Sequence, residues 1–143
     1  MEKIIIGCDH GGFSLKNKIV EHLTHKGIHV EDVGAFNTDS CDYPVIAKKV
    51  ACEVSCGSYK HAILVCGTGL GMAIVANKFK GVRAVTCFDT CSARMSKSHN
   101  DANILCLGER ITGEYHALDI VDIWLKTGFE GGRHQKRVDM FED

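Results

Sequence analysis
Cys66-Gly67-Thr68-Gly69-Leu70-Gly71 is the stretch of this chain best equipped for chemistry. A thiol stands at its head, a hydroxyl follows two residues on, and three glycines leave the backbone bare. A thiol at the start of a helix can serve as base or nucleophile, because that end presents free N–H groups and a positive dipole. The uncovered N–H groups beside it can cradle an anion. A plainer reading is a buried structural thiol, since free cysteine is among the most buried residue types. Spacing alone leaves both open. The glycine spacing is a weak match to a dinucleotide fingerprint, which should follow the first strand of a fold and not, as here, the third.

Other polar groups invite chemistry. Asp9-His10 pairs a carboxylate with an imidazole, a combination that binds hydroxyls or anions, or that simply caps a helix. His99-Asn100 carries a titratable ring that can act as acid or base. Arg133 and Arg137 are four apart, with Lys136 between them. On a helix the two arginines share one face, and such a pair suits a phosphate or forms a solvated basic end. Cys52 and Cys56 are also four apart, as are Cys87 and Cys91, but nothing supplies a third and fourth ligand, so no metal site is expected. His22, His25 and His29 read as a solvated helix face and the strand after it.

These residues are positioned by alternating elements. Lys3 to Cys8 is a short β-branched strand, and Asp9 to Gly12 a turn feeding a helix over Phe13 to Lys26. Leu15, Ile19, Val20 and Leu23 mark its apolar face, and Gly27 stops it. Further strands are expected at 28–33, 61–66, 82–88 and 103–107. Helices are expected at 43–55, with Pro44 near the start, at 69–78, from Asp89-Thr90 to 98, and from about 112 to 126. The tail from Arg133 to Asp143 could form a last short helix. Strand–helix alternation of this kind predicts a parallel α/β sheet with helices on both faces. Ligands in such folds bind beyond the carboxyl ends of the strands. Asp9, His10, the Cys66 turn and Arg110 all fall there.

Composition narrows the function classes. The 143 residues are 45% apolar and 24% charged, which suits one domain with a real core. A net charge of −1 does not favour non-specific nucleic-acid binding. No apolar run approaches the ~18 residues of a membrane helix. The N-terminus lacks the apolar length of an export signal, so the eight cysteines are expected to be reduced thiols in the cytoplasm.

Taken in order, Gly7-Cys8-Asp9-His10-Gly11-Gly12, Asp42-Tyr43-Pro44, the Cys66 turn, Ser98-His99-Asn100-x-Ala102-Asn103, Gly108-x-Arg110, Arg133 and Arg137 form a specific set. The chain resembles the type B ribose-5-phosphate isomerases, in the family shared with allose- and galactose-6-phosphate isomerases, over almost its whole length. That resemblance implies a Rossmann-like α/β/α sandwich with five parallel strands ordered 2-1-3-5-4. It implies a homodimer, sometimes paired into a tetramer, with each site built from two subunits. It also implies interconversion of ribose 5-phosphate and ribulose 5-phosphate, the non-oxidative branch of the pentose phosphate pathway, without metal or organic cofactor.

By the same resemblance Cys66 is the general base that moves a proton between C2 and C1, and His99 the acid that opens the furanose ring. The Thr68 side chain and the five N–H groups of Gly67, Thr68, Gly69, Leu70 and Gly71 are the oxyanion cradle. Asp9, Tyr43 and Asn100 surround the sugar hydroxyls. His10, Arg110, Arg133 and Arg137 hold the phosphate, with a phosphate-binding tail at about 128–143. Arg110, His99 and Asn100 are implied to reach in from the partner subunit. One branch of the family carries a glutamate base just after the last glycine of the turn. Met72 stands there and cannot take a proton, so the chain falls on the cysteine branch. Galactose-6-phosphate isomerase is built from two related chains, whereas base, acid and arginines are together here, as suits a homo-oligomer. The rival readings are an isomerase of the six-carbon sugar phosphates and, in a different class, a non-catalytic nucleotide- or anion-binding module.

Overall fold
The computed structural model describes residues 2–142. Five strands form one parallel sheet in the order β2-β1-β3-β5-β4, as the resemblance implies. They are β1 (Lys3–Cys8), β2 (His29–Asp32), β3 (His61–Cys66), β4 (Ala84–Thr86) and β5 (Ile104–Gly108). The helices are α1 (Phe13–His25), α2 (Tyr43–Ser55), α3 (Leu70–Ala76), α4 (Thr90–Ser98), α5 (Glu114–Lys126) and α6 (Arg133–Val138). The turn after β1 is a short 3-10 helix at His10–Gly12, whose cap is the Asp9 carboxylate accepting from Gly11 N–H at 2.9 Å. The capping reading of Asp9 is therefore met.

Side chains of the central strands alternate between two cores, as a two-residue period requires. Ile63 and Val65 of β3 pack with Leu105 and Leu107 of β5 under α1 and α5, around a fully buried Trp124. Ala62, Leu64 and Cys66 face the other way, onto α2 and α3. The alternation thus delivers the last residue of β3, Cys66, to the side on which α3 begins.

Element ends differ from expectation where side chains replace the ladder. The fourth strand is expected over 82–88 but spans only Ala84–Thr86. Before it, Val82 N–H closes a turn on Phe79, and Asn103 Oδ1 accepts from Arg83 N–H. On its outer edge the Asn77 amide accepts from Ala84 N–H at 2.8 Å and donates to Ala84 carbonyl at 2.9 Å, covering an edge that would otherwise offer itself for pairing. The last helix ends at Val138, short of the expected tail, and Asp143 lies outside the described residues. His22 is not merely solvated: its Nε2 meets Asp122 Oδ1 at 2.8 Å and ties α1 to α5. Among the described residues no helix is long and apolar enough to cross a membrane.

Candidate functional site
Cys66 ends β3 with its side chain 5% exposed, and Gly69 N–H donates to its sulfur at 3.0 Å. Leu70 N–H donates to Thr68 Oγ1 at 3.2 Å. Two of the five N–H groups expected to cradle an oxyanion are thus used within the turn. Those of Gly67, Thr68 and Gly71 have no protein partner among the described residues. The turn depends on Gly69, which has φ +80°. A Cβ there would lie 2.9 Å from Thr86 Cγ2 and 3.0 Å from the Leu107 carbonyl carbon. We expect Gly69→Ala to lower stability by roughly 2–4 kcal/mol, from left-handed backbone strain plus overpacking. Thermal unfolding should show a Tm several degrees lower, and an unchanged Tm would contradict this packing.

The other carboxyl-end residues gather on this turn. The 3-10 turn after β1 packs on it, since a Cβ on Gly11 would lie 3.3 Å from Gly67 N. Asp9 is 7% exposed, and with Oδ1 on Gly11 its second oxygen is available to a ligand. His10 Nδ1 accepts from Cys41 N–H at 3.2 Å. The neutral ring therefore carries its proton on Nε2, which becomes a donor. Tyr43 opens α2 against the turn, its hydroxyl 2.9 Å from where a Gly71 Cβ would be.

Arg110 corrects one expectation. It lies beside the Cys66 turn of its own chain: Arg110 N–H donates to Gly67 carbonyl at 3.0 Å, and its Nε is 3.5 Å from a Cβ position on Gly67. The reason is strand order. β5 neighbours β3 with Cys66 opposite Gly108, so whatever follows Gly108 must cross the Cys66 turn. A residue with no predicted role, Glu109, accepts from Leu15 N–H at 2.6 Å through Oε1 and fastens this loop to the start of α1. The only hint was its place inside Gly108-x-Arg110.

His99, Asn100, Arg133 and Arg137 are elsewhere. His99 ends α4 and Asn100 leads toward β5, at the amino end of the sheet, where Ala62 N–H donates to Asn103 carbonyl. From Ala62 to Cys66 the sheet runs roughly 13 Å at ~3.3 Å per residue. His99 and Cys66 of one chain therefore stand at opposite ends of the sheet. Arg133 and Arg137 are both exposed on α6, as the four-residue spacing anticipates. α6 joins the His99 end, because the His134 ring stacks on His99 at 4.1 Å between centroids. A cleft of about 690 Å³, lined by Asn100, Arg83, Gln135 and Val138 among others, opens at this same end.

All eight cysteines are unbridged. Burial pushes the Cys8 thiol up to about 12 and raises those of Cys87 and Cys106 as well, so none of the three is suited to be a base. Cys52, Cys56 and Cys91 are exposed. Among the described residues one cluster has the makings of a metal site, His99, Glu130 and His134. Its two rings are only 10° from parallel and stacked. Rings in separate parallel planes cannot aim in-plane lone pairs at one ion, so this arrangement does not fit a metal.

A thiol on a glycine turn, at the carboxyl edge of a doubly wound parallel sheet and ringed by hydroxyl- and anion-binding groups, defines a small-ligand α/β protein of the kind that binds at its strand ends. The family can be stated more narrowly. The model of the family described as Ribose/Galactose Isomerase matches residues 4–141, and the chain belongs to that family. It is 50% identical over 139 residues to ribose-5-phosphate isomerase B of Escherichia coli (strain K12), covering 97% of this chain and 93% of that protein. To ribose-5-P isomerase B of Listeria innocua it is 44% identical over 141 residues, covering 99% and 95%. The solved structure of ribose-5-phosphate isomerase B from Clostridium thermocellum matches with a TM-score of 0.94 at 52% identity, over 96% of this chain and 93% of that one. The enzyme from Mycoplasma genitalium, solved with bound ribulose-5-phosphate, matches at 0.92 and 42% identity, over 96% and 91%.

Proposed function
We propose that this chain is an aldose–ketose isomerase that interconverts ribose 5-phosphate and ribulose 5-phosphate. The observation that carries the reading is the Cys66 turn, a sulfur held 3.0 Å from one backbone N–H with further free N–H donors around it. His99 gives a proton to the ring oxygen as the C1–O bond breaks, and the O1 hydroxyl proton passes to water, leaving the open-chain aldehyde. Cys66, as thiolate, takes the C2 proton. Negative charge then gathers on the carbonyl oxygen, where the N–H groups of Gly67, Thr68 and Gly71 meet it, each good donor contributing about 3 kcal/mol. Return of the proton from sulfur to C1, with the hydroxyl proton passing from O2 to O1, gives the ketose. Asp9, Tyr43 and Asn100 orient the hydroxyls. His10 and Arg110 from one chain, with Arg133 and Arg137 of the tail at 128–143, hold the phosphate.

The two-ended geometry supports a homodimer in which the Cys66 end of one chain meets the His99 end of its partner. Leu70 and Ile74, one helical turn apart on α3, are 49% and 64% exposed beside the turn. An apolar face there suits contact with a second copy. The eight unbridged thiols fit a cytoplasmic setting.

A coupled assay with ribose 5-phosphate, allose 6-phosphate and galactose 6-phosphate tests the substrate. Turnover of ribose 5-phosphate with the highest kcat/KM is expected. Turnover confined to a six-carbon sugar would move the reading to that rival, and no turnover of any would leave a binding module.

A further inference from the structure
We infer that Glu130 and His134 are positioning residues for His99, holding its imidazole in one orientation beside a carboxylate so that a ring nitrogen becomes a directed proton donor. This rests on the reading of His99 as the ring-opening acid.

Three contacts build the device from segments far apart in sequence. Glu130 N–H donates to Ser98 carbonyl at 3.0 Å, which pins the chain after α5 to the residue before His99. His134 is 7% exposed, and its ring lies face to face with His99 at 4.1 Å and 10°. One carboxylate then faces both rings: Glu130 Oε1 is 3.5 Å from His134 Nε2, and Oε2 is 3.9 Å from His99 Nε2. His99 itself ends a helix and is 36% exposed, so its own helix does little to fix its side-chain rotation. An acid left on a free rotor loses the advantage of orientation, and a stacked platform restores it.

The charges agree with this division of labour. Two imidazoles in face contact cannot both be cationic at low cost. Burial holds His134 below the ordinary histidine range, and the neighbouring His99 and Arg133 charges add to that, with Glu130 opposing and Arg137 a smaller contribution. His134 is thus the ring held neutral, and the Glu130 carboxylate stands within reach of both rings as counter-charge. The groups facing the pair are therefore Glu130 from the segment after α5 and Arg133 and Arg137 from α6. Lys97 on α4 is turned away, buried against Trp124.

The test is steady-state kinetics on full-length His99→Asn, His134→Ala, His134→Phe, Glu130→Gln and the His99→Asn/His134→Ala double variant. His134→Ala and Glu130→Gln should each lower kcat about tenfold with KM within about twofold. In Glu130→Gln the alkaline limb of the kcat profile should move to lower pH. His134→Phe keeps a stacking face and should recover most of the loss. His134→Ala should cost nothing further on the His99→Asn background, because it acts through that ring. Normal kcat and an unmoved profile in both single variants, with His99→Asn impaired, would overturn the positioning role alone. Additive losses in the double variant would also overturn it. Wild-type kcat in His99→Asn would instead overturn the reading of His99 and this inference with it. Should His134→Ala fail to fold, Glu130→Gln, an isosteric change at an exposed side chain, decides alone.

Discussion

Alanine at position 66 is expected to lower kcat by about a thousandfold or more and to leave KM within a few-fold. In the proposed mechanism the sulfur is the group that takes the C2 proton. Its neighbours cannot stand in for it. Met72 is fully buried in the core and has no acid–base chemistry. Thr68 is a weak base whose oxygen already accepts from Leu70 N–H. Asp9 has one oxygen engaged in capping. The loss should fall on the chemical step, because the groups proposed to hold hydroxyls and phosphate stay in place. The fold should survive: the substitution removes a single hydrogen bond to sulfur, worth about 1 kcal/mol, and a small volume at the rim of the core. Initial rates for ribose 5-phosphate, with circular dichroism as control, check both halves. Turnover within tenfold of the unaltered protein would remove Cys66 from the role of base while leaving the class of reaction standing.

The second large effect is on binding. Arg133→Ala combined with Arg137→Ala is expected to reduce kcat/KM by roughly a hundredfold to ten-thousandfold, mostly through KM. The estimate takes about 1.5–3 kcal/mol for each hydrogen bond to a charged group. Both guanidinium groups project from one face of α6, and neither forms a salt bridge among the described residues. An anion therefore meets them without first displacing a carboxylate. The single variants should each show a smaller rise in KM. An inorganic-phosphate inhibition constant measured on the double variant separates phosphate affinity from chemistry. An unchanged KM and unchanged phosphate inhibition would exclude the pair from the grip.

Much of the architecture was legible in the chain. The apolar run before Cys66 reads as a buried strand because parallel strands are covered on both faces. Asp89 reads as a cap because its carboxylate can take a first-turn N–H, and it accepts from Ser92 at 2.6 Å. Gly69 is marked by its type, since few other residues tolerate the backbone that the turn demands. What stayed hidden depends on long-range placement. Arg110 belongs to its own chain's turn only because β5 lies beside β3, and no local pattern announces that neighbour. The short β4 reflects side-chain amides from Asn77 and Asn103 taking backbone partners, which propensity does not register. The stack of His99 on His134 joins the end of α4 to α6, and nothing in either segment points to the other. His22 reads as solvated from its own helix alone, whereas its partner Asp122 comes from a helix distant in sequence.

The proposed site is assembled from two chains, each giving a different end. Co-expression of Cys66→Ala and His99→Asn chains with separate tags, followed by isolation of mixed dimers, tests this most directly. Each mixed dimer should contain one site with both groups intact and one with neither. Purified mixed dimers should then show about half the unaltered activity, and an unsorted random mixture roughly a quarter, although each parent is nearly inactive. Mixed dimers no more active than their parents would contradict the shared site and place acid and base, if both act, within a single chain.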